Sequence, residues 1–273
     1  MKNETYTRVA DYYSERAHYP LRTLEPGKIV VDGSHLRYAD ACLPPPRRCM
    51  LWLAVLDNSA IISTQYELLD DVRGVLASIP NPADLLREEA RESFVTLCNS
   101  HAPNEELYSH CGVKLYCDTA MFAPVRDPNV KKLTDETVHH AVGILVLHHP
   151  EYLLHDDAAF AYFLEDTPVS FSGSHPAGSM SDRIGDVMVE TLEPYRQRGY
   201  GKAVISATTQ ALLERGRVAV WGTSEDNAAA RRTAESVGYE TFCHVFMIRH
   251  SRTCAEVQKW KTKVITKPST ATE

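Results

Sequence analysis

A mixed α/β architecture is expected from this sequence on three grounds. Short β-branched runs such as Val218-Ala-Val-Trp221 alternate with segments whose apolar residues recur at helical spacing, as in Val204, Ala207, Thr208, Ala211 and Leu212. Gly216 and Gly238 stand where such helices would stop. A basic turn, Arg196-Gln-Arg-Gly-Tyr-Gly201, joins a strand-like stretch to a helix-like one. At 273 residues, 44% of them hydrophobic, the chain is long enough for two domains or for one with a large extension.

In order along the chain, Tyr6, Val9, Ala10 and Tyr13 mark a short helix. Leu43-Pro-Pro-Pro-Arg-Arg48 follows as an extended connector, since proline fixes φ and removes the backbone donor. Leu51 to Leu56, Asp57-Asn58 and Ile61-Ile-Ser63 read as a hairpin. Leu68, Leu69, Val72, Val75 and Leu76 form a helical stripe, and Pro82 opens a second helix carrying Leu85, Leu86, Phe94 and Cys98. A strand-like stretch runs from Gly112 to Phe122, with Cys111 and Cys117 read as half-buried strand thiols. Proline, charge and polar residues from Pro124 to Lys132 suggest a boundary. A helix is expected around Val142 to Leu147, with His139-His140, His148-His149 and His155 at its ends.

The second half is more legible. Phe160 to Leu164 and Val169 to Ser172 flank Glu165-Asp-Thr-Pro168 as a hairpin, and Gly173 to Ser179 reads as a flexible polar loop containing His175. Asp182 to Thr191 reads as a strand with Ile184, Val187 and Val189 as its apolar positions. After the Val218 strand, Asp226-Asn227 can cap a helix running to Val237, and Tyr239 to Ile248 reads as a last strand. The turn Arg196 to Gly201 has the chemistry of an anion site. Its glycines let a phosphate approach main-chain N–H groups with no Cβ in the way, and the following helix presents free N–H groups and its positive dipole end.

With these residues in place, the chain resembles the GCN5-related N-acetyltransferase (GNAT) superfamily. Arg196, Gly199 and Gly201 match the signature of Arg or Gln, two residues, Gly, one residue, then Gly or Ala, which follows the family's fourth strand. Asn227, Ala230 and Gly238-Tyr239 match the spacing of its second block, and the resemblance covers about residues 130 to 250. It implies a mixed central sheet whose fourth and fifth strands splay apart, flanked by helices, with acetyl-CoA or another acyl-CoA as co-substrate in the notch. Val189 and Thr191 would then offer strand backbone to the pantetheine arm. Gln197, Arg198, Gly199, Tyr200, Gly201 and Lys202 would form the diphosphate cradle, with Arg196 and Arg198 adding charge, and Asn227 would contact the pantetheine or adenosine side. The organisation expected is an N-terminal α/β domain over 1–125, an acetyltransferase domain over 126–250 and a polar tail over 251–273. Two strands, two helices and a strand in the first part are compatible with a degenerate partial copy of the C-terminal fold. That part lacks a Gly-x-Gly cradle and is expected to shape the acceptor pocket.

Aminolysis of a thioester needs a neutral amine, so a group must take up the proton of the incoming ammonium. Glu190, on the strand beside the splay, is the first candidate base. Asp186, four residues earlier on the same strand face, is the second. A strand N–H would polarise the thioester carbonyl. One departure stands out: many family members carry a tyrosine near the cofactor thiol, seven residues after the Asn, where this chain has Ala234. The thiolate then leaves unassisted, or Tyr195 or a water protonates it, or the reaction differs.

The formal net charge of −7 argues against nucleic acid or an anionic membrane as the main partner, because both demand a basic face. Seven scattered cysteines fit reduced thiols in the cytoplasm, and no run approaches the ~18 apolar residues of a membrane span. Neither the histidines nor the cysteines have metal-ligand spacing, so no metal is expected. The leading expectation is acetyl transfer to an amine of a small molecule. The alternatives are a CoA-thioester enzyme that decarboxylates or cyclises its substrate, and a CoA-binding module without turnover.

Overall fold

The computed structural model describes residues 4–38, 49–134, 137–138, 158–175 and 177–250. Ten described strands form one mixed sheet: β1 (Ile29–Gly33), β2 (Cys49–Leu56), β3 (Ser59–Thr64), β4 (Leu107–Cys117), β5 (Val130–Lys132), β6 (Phe160–Leu164), β7 (Thr167–His175), β8 (Ile184–Thr191), β9 (Val218–Ser224) and β10 (Glu240–His250). Their order is β1-β3-β2-β10-β4-β9-β8-β7-β6-β5, with β1/β3 and β8/β9 parallel and the other neighbours antiparallel. The sheet passes across the division expected at residues 125 and 126, because β4 lies between β9 and β10.

Side-chain alternation assigns the two faces. Leu51, Leu53 and Val55 of β2 pack with Phe246 and Ile248 of β10 under α2 (Leu69–Leu76) and α3 (Glu88–His101). The same face continues through Val113, Leu115, Ala219 and Trp221 under α4 (Tyr200–Glu214) and α5 (Ala228–Glu235). The opposite face, carrying Trp52, Ala54, Val220 and Ile184, is covered by α1 (Glu4–Ala17). Val9, Ala10, Tyr13 and Ala17 of α1 are buried, and the Tyr13 ring stacks on Phe242 at 5.4 Å between centroids. A larger apolar side chain of this set, such as Val9, is worth roughly 1.5–3 kcal/mol when removed from water, before entropic costs.

The hairpin of β2 and β3 turns at Asp57-Asn58 as expected, with Asp57 at φ 48°. Three expectations change. The helix opened by Pro82 is instead a 3-10 turn over Pro82–Leu86, broken from α3 by extended Arg87 (φ −69°, ψ 151°). The strand expected to reach Phe122 stops at Cys117, because the Asp118 carboxylate accepts from the N–H groups of Ala120 (2.9 Å) and Met121 (3.2 Å) and folds the chain into a turn. Gly173 to His175 are not loop but the end of β7, where His175 pairs with Asp186. The connector 43–48, the helix expected around 142–147 with its histidines, and the tail 251–273 lie outside the described residues.

Candidate active site

The parallel ladder between β8 and β9 holds only from Ile184↔Val218 to Asp186↔Val220. Beyond it β8 stays paired with β7 as far as Thr191, and β9 stays paired with β4 as far as Ser224, so a gap opens between them. Val218 N–H donates to the Arg183 carbonyl at 2.8 Å, which sets the alternation along β8. Continued along the strand, that alternation turns the peptide groups of Val187, Val189 and Thr191 toward the gap.

A cleft of about 680 Å³ lies over this gap on the α4/α5 face. Val189, Glu190, Thr191, Arg196, Gln197, Gly199, Tyr200, Gly201, Lys202 and Asn227 all line it; Arg198 and Asp186 do not. The basic turn owes its shape to left-handed backbone at Gln197 (φ 63°) and Gly199 (φ 85°), the latter being the N-cap of α4. The first bond back into the helix runs from Ala203 N–H to the Gly199 carbonyl at 3.1 Å, so the N–H groups of Tyr200, Gly201 and Lys202 precede the ladder and are free for an anion. A Cβ at Gly201 would sit 3.1 Å from Thr191 Oγ1, a close approach that glycine alone leaves open. Arg196 Nε donates to the Thr191 carbonyl at 3.0 Å and ties the turn to β8, while the Arg198 guanidinium lies 5.7 Å from the Tyr195 ring centroid. Across the cleft, Asn227 caps α5 by accepting from Ala230 N–H at 3.1 Å. Ala229, Ala230 and Thr233 of α5 complete that wall with Trp221.

The even-numbered positions of β8 point to the opposite face: Ile184 and Asp186 meet α1, Met188 packs with Leu133 and Phe171, and Glu190 borders the cleft at the open end of the strand. Asp186 Oδ2 there accepts from the Tyr12 hydroxyl at 2.7 Å and lies 3.3 Å from Arg16 Nη2, which also contacts the Tyr12 hydroxyl. Burial, and then the Asp186 charge, push Tyr12 well above the usual phenol range, so it acts as a fixed donor. Glu190 is half-buried and makes no side-chain hydrogen bond or ion pair with a described residue. The two carboxylates expected on one strand face therefore differ: Asp186 is tied by two donors, and Glu190 has no side-chain partner among the described residues. Sequence reasoning missed Tyr12 and Arg16. The i, i+4 spacing of Tyr12 and Arg16 placed them on one helix face, but nothing local linked that face to Asp186.

Ala234, expected beside the cofactor sulfur, is 1% exposed and packs among Trp221, Val237 and Tyr239 rather than lining the cleft. Tyr239 shares a 2.7 Å hydrogen bond with Thr209 Oγ1, and burial holds its phenol protonated far into alkali. Among the described residues there is no group of three or more His, Cys, Asp or Glu side chains able to hold a metal ion. No helix among them is long and apolar enough to cross a membrane.

Residues 128–239 match the family model described as acetyltransferase (GNAT) family. No curated protein matches the chain. Among solved structures, a protein assigned to the GNAT family from Novosphingobium aromaticivorans is 18% identical, with 55% of this chain and 69% of that one covered and a TM-score of 0.45. A GNAT-family acetyltransferase from Colwellia psychrerythraea is 14% identical, with coverages of 58% and 61% and a TM-score of 0.44. A GCN5-related N-acetyltransferase-like protein from Streptococcus suis is 16% identical, with coverages of 59% and 68% and a TM-score of 0.45. The match to the acetyltransferase (GNAT) family model thus lies in the C-terminal part of this chain, over residues 128–239.

Proposed function

We propose that the chain is an acyl-CoA-dependent N-acyltransferase that moves an acetyl group from acetyl-CoA to an amine of a small molecule. The observation that carries this reading is the cleft over the β8/β9 gap. It joins an open strand edge to a helix N-terminus at which Gly201 leaves room that a Cβ would fill. A pantetheine-like amide chain needs a strand edge and a diphosphate needs converging N–H groups, so the residues fit the co-substrate. Gln197, Gly199, Tyr200, Gly201 and Lys202 would hold the diphosphate, with Arg196 fixing the turn and Arg198 adding charge from outside the cleft. Val189 and Thr191 would pair with the arm, and Asn227 would hold the α5 wall in place.

Bound there, the co-substrate supplies an activated acyl group. The protein's part is to orient the acyl carbonyl against a main-chain N–H of β8 and to deprotonate the incoming ammonium. Glu190 is the base in this reading, because its carboxylate is unengaged, whereas the bonds from Tyr12 and Arg16 fit Asp186 to positioning. Ala234 is buried away from the cleft, so the missing family tyrosine leaves the departing thiolate to water or to Tyr195, which lines the cleft.

The unit is taken as 126–250, with 1–125 contributing the acceptor side through α1. A cytoplasmic setting fits the reduced thiols at Cys98, Cys111, Cys117 and Cys243. Calorimetry with acetyl-CoA, followed by free-thiol release with and without a panel of small amines, tests the reading. Binding with amine-dependent thiol release is expected. No binding refutes it, and thiol release independent of any amine favours the alternative chemistry.

A further inference from the structure

Lys114 carries the most unusual amine among the described residues. It lies on β4 directly opposite Gly222 of β9, and its Nζ sits 2.6 Å from where a Gly222 Cβ would be, so glycine at 222 makes the room the amine occupies. Gly222 is two positions beyond Val220, the last residue of β9 paired with β8. Continued at the same register, Gly222 stands level with Met188. Lys114 thus borders the gap from the β9 side, on the face where β8 presents Asp186 and Glu190. The amine makes no hydrogen bond or ion pair with a described residue. Its charged and titratable neighbours come from every element around it: Arg16 from α1, Asp186 from β8, Arg249 and the Cys243 thiol from β10, and His110 from its own strand. Burial first, then Arg16, pull its titration below the ordinary lysine range, with Asp186 opposing. A half-buried amine beside the Arg16 charge, with the Asp186 carboxylate only partly opposing it, is drawn toward its neutral, nucleophilic form.

We propose, on the premise of the acyl-CoA reading, that Lys114 is itself an acyl acceptor, modified from the protein's own co-substrate. Lys114 Nζ attacks the thioester carbonyl carbon, an N–C bond forms, and the C–S bond breaks with its electron pair leaving on sulfur. The proton lost from nitrogen passes to Glu190 or solvent and then to the thiolate, giving acetyl-lysine and free CoA. The resulting amide replaces a basic nitrogen beside Asp186 with one that cannot take up a proton, so the modified and unmodified proteins differ in the proton-binding groups they offer an acceptor.

The test incubates the full chain with acetyl-CoA and follows intact mass and peptide mapping, with calorimetry of CoA binding alongside and a ¹⁵N-lysine titration of the unliganded protein. One acetyl group per chain is expected at Lys114, at least tenfold faster than at exposed Lys28 or Lys131. Lys114→Arg should abolish it, and Gly222→Ala, which pushes the amine aside, should slow it at least tenfold while CoA still binds. The Lys114 Nζ resonance should titrate below those of Lys28 and Lys131. CoA binding without preferential acetylation of Lys114, or a Lys114 titration matching the exposed lysines, overturns the inference and leaves the acyl-CoA reading standing. Absence of CoA binding overturns both.

Discussion

The substitution Gly201→Val tests the cleft at its narrowest point. A Cβ at this position lies 3.1 Å from Thr191 Oγ1 and 3.8 Å from Val189 Cγ2. Thr191 Oγ1 cannot retreat freely, because it is 2.7 Å from Ser170 Oγ in a part-buried seam. Gly201 is not among the residues with positive φ, so the backbone tolerates a side chain, and alanine in the first turn of α4 gains about 0.5–1 kcal/mol of helix propensity. The two methyl groups of valine would then occupy the space above the N–H groups that a diphosphate must reach. Hydrogen bonds to charged groups contribute roughly 1.5–3 kcal/mol each, so losing two weakens binding by about 3–6 kcal/mol, or ~10²- to 10⁴-fold. Calorimetry with acetyl-CoA, paired with urea unfolding, separates affinity from stability. Gly201→Ala should stay folded and bind about tenfold more weakly, and Gly201→Val should bind at least ~100-fold more weakly. Gly199→Ala is the contrast: nothing lies within 4 Å of its Cβ, but φ is 85°, so it should lose about 1–2 kcal/mol of stability. A folded Gly201→Val protein with unchanged affinity would refute the assignment of the cleft.

Three further outcomes are expected. Glu190→Gln should lower kcat by about 10²-fold or more with acetyl-CoA affinity unchanged, and a near-normal rate across the pH range removes Glu190 from the mechanism. Ala234→Tyr should destabilise the protein by about 1–3 kcal/mol or more in urea unfolding, since the ring would enter a filled core; unaltered stability would mean that the position opens onto the cleft. Burial pushes Cys98, Cys117 and Cys243 up to about 12 from an ordinary value of 9.0. Between those values the unfolded chain sheds protons that the folded chain keeps, so stability should fall as pH rises above 9. Buried Tyr12, Tyr13 and Tyr239 act in the same direction at higher pH. Urea midpoints at pH 8, 9 and 10 measure the slope, and a flat profile would refute the burial argument.

The parts of the fold set by local chemistry were legible. The hairpin of β2 and β3, the stripe that became α2, the Asn227 cap and the turn at Gly199 each follow from spacing and backbone freedom within a few residues. What local patterns did not carry was the break at Arg87, where nothing in the apolar stripe marks the change from a 3-10 turn to α3. The stop at Cys117 was present in the sequence as Asp118, whose side chain competes for backbone donors, but the apolar residues Met121 and Phe122 beyond it masked the signal. The placement of Ala234 was obscured differently. Its spacing from Asn227 matches a cofactor-facing position of the family, yet the cap at Asn227 and the packing of Trp221 on Tyr239 turn it into the core.

The α1 side of the sheet was the least legible because it is assembled across the chain. Tyr12 reaches Asp186 over 174 positions, and Lys114 stands on a strand inserted between β9 and β10. Such contacts arise only once β4 has closed the sheet, since α1 needs the continuous face of Trp52, Ala54, Val220 and Ile184 to bury Val9 and Tyr13. The same burial fixes Tyr12 and Arg16 against Asp186, so the apolar side of α1 and its polar contact are two consequences of one docking event. A helix held by fewer apolar residues would leave Asp186 with mobile partners, and its carboxylate would then be as unengaged as that of Glu190. The different contacts of the two carboxylates therefore depend on α1, not on β8, although both acids are carried by β8.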